Sequence, residues 1–168
     1  MADSPTVLLL CYGNPSRLDD GLGIAFASGI SNIAPPHVDI EVDYQLSIED
    51  AATLANYSAV VFVDAAASGE SPFFFRRVAP RSTPISFSDH SVSPEQVIAL
   101  ASQLFSATTR SYALGIRGYV FCDFGDTLSP EASDNLSVAV DFLSSLLQQD
   151  DFCVAADAIA TEPVAYGA

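Results

Sequence analysis

Two aspartates and one histidine stand where this chain can most readily do chemistry. Asp20 follows an apolar run (residues 7–11) that breaks at Gly13-Asn14-Pro15, Asp64 closes a second apolar run (59–63), and His90 lies just past a short strand-like stretch (85–87). If those runs are parallel strands, their carboxyl ends share one edge of the sheet. Two carboxylates and an imidazole delivered there by separate loops would offer oxygen and nitrogen ligands and leave positions open for water or substrate. Such a set suits a borderline divalent metal such as zinc or nickel. Each residue also has a plain structural reading: Asp20 as a helix N-cap, Asp64 as a cap on the next turn, His90 as a solvated loop side chain. His37, next to Pro36, reads as surface.

The elements that would position these residues follow from hydropathy pattern. Residues 7–11 and 59–63 are continuously apolar, short and bounded by turn residues, which predicts strands buried on both faces. Residues 38–44 alternate apolar with acidic and predict a half-exposed strand near a sheet edge. Leu22, Phe26 and Ile30 mark a first helix, and Ser47 with Asp50 looks like the cap of a second. The order β-α-β-α-β predicts a parallel sheet with helices on its faces. Beyond it, residues 65–89 read as irregular, with Phe73-Phe74-Phe75 either a strand or part of a lid. Ser93-Pro94-Glu95 and Ser129-Pro130-Glu131 are cap-and-proline helix starts, and residues 112–116 are a further strand. Residues 119–124 read as a hairpin partner or connector. Residues 1–149 are expected to form one α/β domain, and residues 150–168, which show no clear period, a loosely ordered tail.

Composition narrows the function classes. Charged residues make up 16% and hydrophobic ones 49% of 168 residues, so a folded domain is expected. Twenty-one acidic residues face six arginines and no lysine, a net charge of −15. That balance disfavours nucleic acid and anionic membranes and leaves proteins and cations as partners. Cys11, Cys122 and Cys153 have no metal-like spacing; Cys11 and Cys122 lie in apolar runs and are expected to be buried free thiols, in keeping with a reducing cytoplasm. Neither a signal peptide nor a membrane span is expected. Gly21-Leu22-Gly23 starts like a dinucleotide fingerprint, but the third glycine is missing and Asp19 and Asp20 would face the pyrophosphate.

Taken together the motifs resemble those of the hydrogenase maturation proteases, the endopeptidases that trim the C-terminus of the [NiFe] hydrogenase large subunit. The resemblance is carried by Gly13-Asn14-Pro15-Ser16-Arg17-Leu18-Asp19-Asp20-Gly21-Leu22-Gly23 and Val60-Val61-Phe62-Val63-Asp64-Ala65. Two further stretches follow in order, His90-Ser91-Val92-Ser93-Pro94 and Phe124-Gly125-Asp126-Thr127-Leu128-Ser129-Pro130-Glu131. It implies a three-layer α/β/α sandwich with a twisted, mainly parallel central sheet. It also implies that Asp20, Asp64 and His90 are the metal-contacting and catalytic trio. The metal is then nickel already carried by the large-subunit precursor, with no tightly held cofactor in the protease itself. A cytoplasmic monomer is expected, of a family grouped with aspartic-type peptidases. Where many relatives have Asp-Gly-Gly-Thr after the second strand, this chain has Tyr44-Gln45-Leu46-Ser47, the mark of a subgroup. A non-catalytic nickel-sensing chaperone and a nucleotide-binding α/β module are the alternatives.

Overall fold

The computed structural model describes residues 6–81 and 92–164. Five strands, β1 (Val7–Tyr12), β2 (Val38–Asp43), β3 (Ala59–Ala66), β4 (Phe73–Arg77) and β5 (Arg110–Arg117), form one sheet in the order β2-β1-β3-β5-β4. The first four positions are parallel, and β4 runs antiparallel along the outer side of β5. Alternate residues of the central strands enter two separate cores. Val7, Leu9, Cys11, Val61 and Val63 pack with α1 (Leu22–Ile30), α4 (Pro130–Leu147) and α5 (Phe152–Ile159). Leu8, Leu10, Val60 and Phe62 pack with α2 (Asp50–Leu54) and α3 (Pro94–Phe105). Burial on both faces is why these strands read as unbroken apolar runs. The result is the expected three-layer α/β/α sandwich.

Helix starts obey their caps. The Ser93 hydroxyl accepts from Gln96 N–H while the Gln96 side chain accepts from Ser93 N–H, a complete capping box. Ser129 accepts from Ala132 N–H. Asp50 accepts from Ser47 N–H at 2.8 Å, although α2 is only five residues long.

Three expectations are corrected. Residues 65–89 are not irregular throughout, since β3 continues to Ala66 and Phe73-Phe74-Phe75 begins β4. Phe75 stacks on Tyr112 at 5.5 Å between ring centroids and is core, Phe73 packs against that core, and Phe74 faces outward. The chain after residue 150 is not loose over α5. Phe152 and Ala156 are fully buried, Phe152 meets Tyr112 edge to face, and Thr161 exchanges backbone hydrogen bonds with Phe75 and Arg77. Cys122 is exposed rather than buried, because residues 119–124 join no strand; Cys11 and Cys153 are buried. The short strand expected at residues 85–87 lies outside the described residues, as does His90.

Candidate active site at the carboxyl edge of the sheet

The loop after β1 folds back on itself. Gly13 has φ +142°, a conformation L side chains rarely adopt, and its N–H donates to the Asp43 carbonyl at 3.2 Å. Asn14 caps the turn by accepting from Ser16 N–H at 2.9 Å. A single 3-10 turn, Leu18–Gly21, then returns Asp20 to the start of the loop, where its Oδ2 accepts from Asn14 N–H at 3.0 Å. Gly13 is required for this closure, because a Cβ there would collide with the Asp20 carbonyl oxygen and would lie 3.8 Å from Asp64 Oδ1. Asp20 and Asp64 therefore adjoin the same glycine.

Asp64 reaches this edge because β3 runs in register beside β1, with Cys11 opposite Val63. Its Oδ1 accepts from Ala65 N–H at 2.7 Å. Burial pushes its carboxyl up to about 7; the Ala65 bond opposes this, and the nearby Asp20 charge adds to it. A carboxyl poised near neutrality can hold or release a proton at working pH, which is what a general base or a metal ligand needs. Tyr12, at the end of β1, is raised well above the usual phenol range by burial and then by Asp64 and Glu95, so it stays protonated.

Asp19 is the opposite case. It is fully buried, yet its carboxylate accepts from the N–H groups of Tyr119 (2.8 Å), Val120 (3.0 Å) and Ser129 (2.8 Å) and from the Ser129 hydroxyl (2.7 Å). Burial works to raise its pKa, but these donors together hold it below the ordinary carboxylate value. Asp19 ties the first loop to the segment before α4.

Of the three residues predicted from sequence, Asp20 and Asp64 are brought together. Among the described residues, no group of three His, Cys, Asp or Glu side chains is arranged to hold a metal. The scarce arginines serve structure: Arg76 pairs with buried Glu95 at 3.1 Å, Arg77 and Arg110 pair with Asp157, and Arg117 donates to loop carbonyls. Sequence reasoning missed a groove of about 250 Å³ beside the pair, lined by Gly13, Pro15, Ile24, Val42, Asp43 and Tyr44. The only signal for it was the turn after residue 43, which carries the edge strand toward Gly13. A larger cavity, about 540 Å³, opens at the other edge of the sheet near Arg77, Arg110 and Asp157. Neither Asp20 nor Asp64 lines it.

No protein-family model matches the chain, and no curated protein matches it. Solved structures do. The [NiFe] hydrogenase maturation protease HycI from Thermococcus kodakarensis KOD1 superposes with a TM-score of 0.68 at 17% identity, covering 88% of this chain and 96% of that one. The hydrogenase maturating endopeptidase HybD from E. coli gives 0.63 at 17%, covering 85% and 92%. A hydrogenase 2 maturation peptidase from Thaumarchaeota archaeon SCGC_AB-539-E09 gives 0.62 at 20%, covering 85% and 98%. Among the described residues no helix is long and apolar enough to cross a membrane. The chain thus has the α/β/α fold of the solved [NiFe] hydrogenase maturation proteases.

Proposed function

We propose that this protein is an endopeptidase that removes the C-terminal peptide of a nickel-loaded [NiFe] hydrogenase large-subunit precursor. The observation that carries the reading is that Asp20 and Asp64 both adjoin Gly13, at the carboxyl edge of a sheet with this fold, close enough for the Asp20 charge to act on the Asp64 carboxyl. Asn14 N–H holds one oxygen of Asp20 and Ala65 N–H one oxygen of Asp64. The remaining oxygens are the ones offered to the substrate's nickel, with His90 assigned from its motif as the third ligand.

Holding the substrate's metal places the adjacent peptide bond and converts an encounter into an oriented reaction. Asp64, whose carboxyl sits near 7 in the metal-free protein, gives up its proton as it takes the nickel. Each carboxylate is fixed by its own backbone donor, which favours separate roles over a shared-proton dyad of the pepsin kind. Incubation with nickel-loaded precursor should release a short C-terminal peptide, and Asp20→Ala or His90→Ala should abolish release. Unchanged processing by either variant removes that residue from the mechanism. A stable complex with uncut precursor would instead mark a nickel-sensing chaperone.

A further inference from the structure

Residues 119–124 (Tyr-Val-Phe-Cys-Asp-Phe) are an exposed apolar loop, and the peptidase reading gives them no task. Phe124 is 80% exposed, Tyr119 44% and Val120 41%. Large apolar side chains displayed together at a surface mark interaction sites. This loop is also built to keep its shape. Tyr119 and Val120 N–H both donate to the fully buried Asp19 carboxylate, Asp19 N–H donates to the Val120 carbonyl, and Leu18 N–H donates to the Gly125 carbonyl. The Arg17 guanidinium lies 5.5 Å from the centre of the Phe124 ring, and that of Arg117 lies 4.7 Å from the Tyr119 ring centre. Gly118 permits the close approach, since a Cβ there would sit 2.9 Å from Asp19 Cβ and 2.8 Å from the Phe121 ring.

We propose that this loop is the docking surface for the folded body of the protein substrate, which meets it with an apolar recess rimmed by basic side chains. The inference rests on the peptidase reading for the identity of the substrate. Rigid aromatic side chains lose little freedom on binding and dominate the energetics of interfaces. Asp19 is bonded to the loop and is followed in the chain by Asp20, so one short segment holds both the loop and a member of the carboxylate pair. Asp123 and Asp126 are exposed beside Phe124 on a molecule of net charge −15. Away from Arg17 and Arg117, which stack on the two rings, these carboxylates complement basic side chains on the partner, and a net charge of −15 on each chain opposes association with a second copy.

The test is the affinity of the nickel-loaded precursor for the Asp64→Ala protein, with and without the added pair Phe124→Ser and Val120→Ser. Both side chains are exposed, so an unchanged melting temperature is expected and serves as the folding control. The docking pair should weaken binding at least tenfold, and raising the ionic strength should weaken the parent complex. Equal affinity overturns the proposal, as does a dimer of the wild-type chain that Phe124→Ser dissociates. Wild-type cleavage, read in parallel, separates the two ideas. An uncut precursor whose binding still depends on the loop sinks the peptidase reading alone, and a cut precursor with loop-independent binding sinks the docking surface alone.

Discussion

Asp19 and Asp64 are both carboxylates withdrawn from bulk water near the carboxyl edge of one sheet, yet their surroundings push them in opposite directions. Asp19 accepts four hydrogen bonds from residues 100 or more positions away and is held below the usual carboxylate pKa. Among the described residues Asp64 accepts one, from its own neighbour Ala65; it faces the Asp20 charge and is pushed up to about 7. The comparison separates construction from chemistry. A carboxylate whose oxygens are fully occupied holds loops together, and one left short of donors is available to a ligand. In the proposed site the Asp19-Asp20 pair therefore divides its labour, the first acid tying the loops together and the second facing the substrate.

The largest effect should come from breaking the under-satisfied side of this comparison. Asp64→Ala should lower processing by about a thousandfold, within the range for a general base or a positioned ligand. Intact-mass measurements over time check this.

Next comes pH. The unfolded chain releases the Asp64 proton near 3.8, while the folded protein keeps it until about 7. Between those values the folded state binds more protons, so ionisation of Asp64 costs stability as pH rises, by up to about 4 kcal/mol. Asp64→Asn should remove that slope in urea titrations of the metal-free protein and leave it more stable above pH 7. Asp19 has the reverse sign. Its folded pKa lies below the unfolded one, so its stabilisation is present above about pH 4 and lost as pH falls through the folded value.

Asp19→Ala strands the Tyr119, Val120 and Ser129 N–H groups and should cost about 3 kcal/mol or more, read as a fall in urea midpoint. Ser129→Ala sharpens the same point on a smaller scale. It removes a helix cap and one donor to Asp19, for about 1 to 2 kcal/mol.

Much of the frame was legible in the chain because it is written locally. Residues 7–11 and 59–63 are apolar without interruption since both faces are covered, and Asp64 is visible as the first polar residue after such a run. Ser93 and Ser129 announce their helices within three residues. What escaped depends on distant partners. Asp19 looks like half of an acidic pair until Tyr119 and Ser129 arrive from the far end of the sequence. Helix α5 offers only a short apolar stripe, and it becomes core through Tyr112, about 40 residues away. Cys122 sits in a run that reads as a strand but pairs with no strand among the described residues, and backbone donors of Tyr119 and Val120 turn to Asp19 instead. Phe73-Phe74-Phe75 has no polar alternation because Phe75 enters the core and Phe74, half-exposed, is covered by the Arg76 guanidinium.

The most direct test is the intact mass of one large-subunit precursor, prepared with and without nickel, after incubation with the wild-type protein. The account predicts loss of a C-terminal peptide from the nickel-loaded sample alone. Cleavage that ignores the metal, or a nickel-loaded precursor left whole, would contradict it.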